Sequence, residues 1–195
     1  MKYLLCFTTF LLLTNFASGQ KDTVYQQYED IDELKKQIIE NEIVELRYVD
    51  STFQYACKVP SWLNLLESGN DAVWGGTFPA VDGVENALII IGSSKDKFES
   101  FDQFKEIHLT GNTFGQPVKW GADQTWLGQN ELTEIEHGAK RKVYIFWNGL
   151  IYHNQFVLLE TKTAYLWIKF TASPETYDKN IGKFEEFMKG LELLK

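Results

Sequence analysis

Asn148-Gly149 is the stretch that most restricts how this chain can fold. It lies between two runs of β-formers, Val143–Trp147 and Leu150–Leu159. Both residues tolerate the positive φ of a type I′ turn, whose twist matches the strands it joins. The pair predicts an antiparallel hairpin with its register set by the turn. Glu160-Thr161-Lys162-Thr163 is a second turn and Ala164–Thr171 a third strand. Ser173-Pro174-Glu175 then offers an N-cap, a first-turn proline and an acid that complements the helix dipole. The helix that follows places Tyr177, Ile181, Phe184, Met188 and Leu191 on one stripe. In the third strand Leu166, Ile168 and Phe170 point one way, and Tyr165, Trp167, Lys169 and Thr171 the other. The apolar side is expected to receive the C-terminal helix.

The N-terminus reads as a targeting segment. Lys2 is followed by the apolar run Tyr3–Leu13 and by small residues at Ala17-Ser18-Gly19. This predicts a cleavable secretory signal over residues 1–19, cut between Gly19 and Gln20, and a periplasmic or extracellular protein. The run is shorter than the ~20 residues a membrane span needs. Residues 20–50 are a lead-in that includes a helix, and 51–195 the main domain. The formal net charge of the chain is −8, which disfavours nucleic acid and anionic membrane as partners. Cys6 leaves with the signal, so Cys57 has no disulfide partner, and packing alone must stabilise the fold. Between Phe53, Tyr55 and Val59, Cys57 is expected to be a buried small hydrophobe rather than a nucleophile.

Along the main chain, Asp30–Asn41 carries a capping-box pair, Asp30 and Glu33, and predicts a helix. Ile43–Val49 is open between strand and linker. Thr52–Val59 alternates as a strand that Pro60 ends. Trp62, Leu65 and Leu66 suggest a helical turn or an irregular segment, and Ser68–Asp71 a loop. Ala72–Phe78 reads as a short strand broken by Gly75-Gly76, and Val81–Val84 as a turn. Leu88–Gly92 is fully apolar and belongs in the centre of a sheet. Ser93–Phe98 is a polar loop. Ser100 and Gln103 cap a short helix lined by Phe101, Phe104 and Ile107. Gly111–Gly115 turns the chain, and Val118–Leu127 and Glu131–His137 are strands joined by Gly128-Gln129-Asn130. The fold class is α+β: a mainly antiparallel sheet with the C-terminal helix on one face and the other helices on the opposite face or edge.

This order of elements resembles a known pattern. Val59-Pro60-Ser61-Trp62 closes a strand, and Phe98-Glu99-Ser100-Phe101-Asp102-Gln103-Phe104 opens a short helix. Tyr152-His153-Asn154, Ala164-Tyr165-Leu166 and a long amphipathic helix follow. Over Ser51–Lys195 the chain resembles the PsbP/Mog-type α/β/α sandwich superfamily, which includes exported bacterial proteins of unassigned role. The resemblance implies a non-enzymatic binding or assembly protein. Members share no single ligand, so it assigns no functional residue. The Asp30–Asn41 helix departs from the minimal pattern.

The residues themselves carry little that looks like catalysis. His108, His137 and His153 are the three histidines, and none has metal-ligand spacing. No metal and no cofactor is expected. Glu136-His137 and His153 meet only if their strands are neighbours. Two of Glu131, Glu134 and Glu136 could supply a glycosidase pair, but Glu134 and Glu136 alternate as on a solvent-facing strand. There is no nucleophile elbow, and Gly75-Gly76 lacks the Lys-Ser/Thr of a phosphate loop. Trp120, Trp147, Tyr152, Tyr165 and Trp167 are instead the candidate ligand-binding residues, because rings with polar tips suit recognition. The same rings on a covered sheet face would be a second buried layer. The function expected is thus an exported binding or assembly module for an unknown protein or small-molecule ligand. The alternatives are a small hydrolase using carboxylates with His153, and an immunity-type inhibitor with an acidic surface.

Overall fold

Thirteen strands and two α-helices appear among the described residues of the computed structural model, which are 46–66, 73–110, 112–113, 116–117 and 124–194. The first strands are β1 (Leu46–Asp50), β2 (Tyr55–Val59), β3 (Asn64–Leu65), β4 (Val73–Thr77) and β5 (Ala87–Ser94). A 3-10 turn over Lys95–Lys97 leads to helix α1 (Phe101–Thr110) and a minimal hairpin, β6 (Asn112–Thr113) with β7 (Gln116–Pro117). Then come β8 (Gln124–Gln129), β9 (Thr133–Ile135), β10 (Gly138–Trp147), β11 (Leu150–Glu160) and β12 (Ala164–Ala172). Helix α2 (Pro174–Lys189) and β13 (Leu191–Leu193) end the chain. Glu45–Lys195 is one compact unit. The predicted signal segment and the Asp30–Asn41 helix lie outside the described residues, as does the Ser68–Asp71 loop.

The Asn148-Gly149 turn forms as its residues dictate, with φ of 50° and 78°. It closes the ten-rung ladder between β10 and β11, from Gly138↔Leu159 to Trp147↔Leu150. The main sheet runs β3-β4-β5-β12-β11-β10-β8, with β9 also paired to β10. All its pairs are antiparallel. The apolar strand β5 lies between β4 and β12, as its lack of polar alternation requires. A second sheet, β1-β2-β13, joins the two ends of the unit.

The two sheet faces carry different helices. Leu88, Ile90, Leu166, Ile168 and Phe170 are buried on the first face. Phe170 stacks on Phe184 of α2 at 5.4 Å and meets Tyr177 at 5.5 Å. Phe187 of α2 stacks on Trp74, which stacks on Tyr48 of β1, so the small sheet reaches the same face. On the second face Tyr165 packs against Phe98, Phe101 and Phe104 at 5.1–5.9 Å, which seats α1. Each fully buried large side chain contributes roughly 1.5–3 kcal/mol before conformational entropy is subtracted. The expected placement of the C-terminal helix on the apolar side therefore holds.

Several local expectations change. Gly75 and Gly76 do not break β4, which runs through them. A Cβ at Gly75 would collide with the Leu88 carbonyl oxygen, so glycine here lets two central strands approach. Gly128 and Gln129 belong to β8 rather than to a connector. Asn130 N–H still bonds the Lys142 carbonyl, so β8 and β9 line β10 as one interrupted edge. In α2 the buried apolar stripe is Tyr177, Phe184 and Phe187, not Met188, and Leu191 has left the helix for β13. In α1 the buried pair is Phe104 and Leu109, with Ile107 only half-buried. Ser51–Gln54 is a turn, so β2 starts at Tyr55, and Leu46–Asp50 is a strand.

Candidate functional site: an aromatic sheet face

The site is built by alternation along β8, β10, β11 and β12. Cross-strand register puts Trp126, Ile145 and Tyr152 in one row of the α1 side of the sheet. Trp147 stands in the next row toward the hairpin tip. Val143, Asn154 and Thr171 form the row behind, and Arg141, Phe156 and Lys169 the one behind that. Period-two alternation aims all of these side chains at the same side.

The candidate residues divide by burial. Tyr165 and Trp167 are only 5% and 9% exposed and belong to the core beneath α1. Trp167 meets the His108 ring at 4.7 Å and the Phe156 ring edge-on at 5.2 Å. Trp147 and Tyr152 are half-buried, with ring centroids 6.0 Å apart. Burial raises the Tyr152 phenol above its ordinary range. Trp120 lies outside the described residues. The structure therefore brings Trp147 and Tyr152 together at the distal end, and Tyr165 with Trp167 under the helix. Trp126 joins them although the sequence reading passed over it. It is half-buried, packs against the same core and meets Phe156 at 6.5 Å. The signal for it was the alternation Gln124-Thr125-Trp126-Leu127 in a strand already anticipated.

Polar groups thread the same face. Thr171 Oγ1 donates to Asn154 Oδ1 at 2.7 Å, and Asn154 is buried. Arg141 donates through a terminal nitrogen to the Leu109 carbonyl at 2.8 Å, tying β10 to the end of α1. Burial holds the His108 imidazole down to about 3, so it is neutral at physiological pH. Lys169 projects from the same face, and burial pushes its amine down to about 8.

Groups considered for chemistry lie apart. His137 is in the turn before β10, exposed and beside Glu136. His153 faces the α2 side between Tyr144 and Tyr177. Along the ladder the two are seven positions apart, roughly 23 Å at strand rise. Burial first, then the Lys142 charge, lowers the His153 imidazole. Glu131, Glu134 and Glu136 are exposed. Cys57 is buried in β2, and desolvation pushes its thiol up to about 12, far from the thiolate that nucleophilic chemistry needs. No group of three or more potential metal-ligating side chains occurs among the described residues. None of their helices is long and apolar enough to cross a membrane.

No family model matches the sequence, and no curated protein matches it. Solved structures do resemble it. The PsbP protein CyanoP of Synechocystis sp. PCC 6803 is 11% identical over 77% of this chain and 94% of its own, with a TM-score of 0.48. LpqN, involved in cell envelope biogenesis of Mycobacterium tuberculosis, is 14% identical over 82% of this chain and 95% of its own, with a TM-score of 0.48. A protein of unknown function from Pseudomonas aeruginosa is 14% identical over 74% of this chain and 93% of its own, with a TM-score of 0.47. A PsbP protein is thus among the similar structures, as the resemblance in the sequence anticipated.

Proposed function

We propose that this chain is an exported, non-catalytic binding or assembly module. In this reading the main unit is an α/β/α sandwich of the PsbP type, and the distal end of its α1-side sheet face is the recognition surface. The observation that carries the reading is the β10–β11 hairpin. Its partner β12 stops at the Ala172↔His153 rung, so the hairpin tip projects past it. Leu150, 52% exposed, stands there on the side of Trp147, beside half-buried Trp126 and Tyr152, while Phe146 and Ile151, 40% and 46% exposed, stand on the opposite side of the tip. Clustered exposed apolar side chains next to rings are what interaction sites present. The predicted signal over residues 1–19 supports export, and N-terminal sequencing of the secreted chain should then begin at Gln20.

The test is capture. Purified chain is immobilised, exposed to the envelope fraction of its own cells, and the retained molecules identified by mass spectrometry. Leu150→Ser combined with Trp147→Ala should lose the retained molecule while the chain still unfolds cooperatively. Retention of the same molecule by this variant would remove the hairpin from the reading.

A further inference from the structure

The end of the β10–β11 hairpin is apolar on both of its sides. Trp147 and Leu150 pair on the α1 side, and Phe146 and Ile151 pair on the other. Leu150 is 52% exposed, Ile151 46% and Phe146 40%. The helices meet the hairpin farther back: Tyr177 of α2 reaches His153, behind Ile151, and the end of α1 is tied to Arg141, well before Trp147. The same region carries no charge. Asp, Glu, Lys and Arg make up 24% of the chain, yet Val143–Tyr152 and the neighbouring strand β8 contain none. The nearest charge along β10, Lys142, stands roughly 17 Å behind Trp147 at strand rise.

These two observations select a partner. A flat protein surface covers one face of a sheet end and leaves the other in water, whereas a bilayer interface receives both. Charge agrees: an uncharged tip matches a surface without net charge, and a chain of formal net charge −8 is repelled by anionic lipid. So does size. From the Trp147–Leu150 rung to the Ile145–Tyr152 rung the tip is roughly 7 Å long, against the roughly 5–10 Å that interfacial elements enter. Trp147 and Tyr152 end in polar ring tips, the chemistry of the aromatic belt at a membrane interface. Leu150–Tyr152 lie past the end of β12, and among the described residues no strand pairs with that outer edge. Its backbone groups need the water and headgroups of the interface, which keeps the tip out of the acyl core. We propose that the hairpin tip inserts, with both sides, into the interface of a zwitterionic bilayer of the phosphatidylcholine or phosphatidylethanolamine class. This rests on the hairpin tip being the recognition surface.

The secreted chain beginning at Gln20 is sedimented with phosphatidylcholine vesicles. Native protein should bind them, and replacing about one-third of the lipid by phosphatidylglycerol should leave binding unchanged or weaken it. Phe146→Ser with Ile151→Ser, and separately Leu150→Ser with Trp147→Ala, should each weaken binding at least about tenfold. A loss confined to one of the two pairs overturns insertion from both sides, and stronger binding to the anionic vesicles overturns the zwitterionic partner. No binding of native protein to phosphatidylcholine overturns the membrane altogether; if Leu150→Ser with Trp147→Ala still loses the molecule captured from the envelope fraction, the tip stands as the recognition surface of a partner other than lipid. Should a double variant fail to fold, phosphatidylcholine brominated on its acyl chains decides: tryptophan quenching of the native chain that Trp147→Phe reduces supports insertion, and quenching that is absent or unchanged in Trp147→Phe overturns it.

Discussion

Gly138 and Gly182 look alike in sequence, and the structure separates them. A Cβ at Gly138 would run into the Leu158 carbonyl oxygen of the neighbouring strand β11. At Gly182, mid-helix in α2, nothing lies within 4 Å of one. Gly182→Ala should therefore stabilise the chain by up to about 1 kcal/mol in urea unfolding. Gly138→Ala should destabilise it by several-fold more, because backbone must move. Trp167→Ala should cost about 3–5 kcal/mol, as truncation of a buried aromatic does; a cost under about 1 kcal/mol would place Trp167 at the surface instead. The sequence named Tyr165, Trp167, Trp147 and Tyr152 through their shared strand side. It had no means to separate the first two from the others, since alternation tells which side a ring faces but not what covers it.

At the scale of elements, α2 shows where periodicity stops. Its start was legible: Ser173 precedes the helix, Pro174 opens it and Glu175 lies in the first turn. Its buried stripe turned out to be Tyr177, Phe184 and Phe187 because the helix crosses both β12 and Trp74 of β4. Phe184→Ala should cost about 3–5 kcal/mol in chemical denaturation, and Met188→Ala clearly less. Equal costs would mean that the helix is rotated toward the stripe the sequence suggests. The short helix behaved likewise. Gln103 N–H bonds Ser100 Oγ at 3.2 Å, as a cap should, while Gln103 Oε1 takes the Glu99 N–H rather than that of Ser100. Local chemistry placed both helix starts; the strands packed beneath them chose which residues they bury.

For the whole molecule, each covered face holds a histidine. On the α2 side His153 is only half-buried, between Tyr144 and Tyr177. The α1 side encloses His108, whose ring lies 4.3 Å from that of Phe104. The folded chain holds His108 at about 3 against an ordinary 6.5, so between those values the unfolded chain takes a proton that the folded chain refuses. The sign follows: this contribution is fully present above about pH 6.5 and is lost as pH falls toward 3. The urea midpoint should decline on acidification, and in His108→Leu the decline between about pH 7 and about pH 4 should be shallower. An unchanged slope would show that His108 is solvated in the folded chain.

Sequence by itself determined the β10–β11–β12 meander, the turns that join its strands, the central place of β5 and the start of each helix. These depend on short-range steric and capping preferences that neighbours along the chain settle between themselves. Tertiary structure alone decided that Gly75 and Gly76 lie within a strand, that β8 and β9 form one interrupted edge and that Lys169 stands among rings. Each depends on how closely a distant backbone approaches, and that distance is set by packing across the sheet rather than by any residue's own preference.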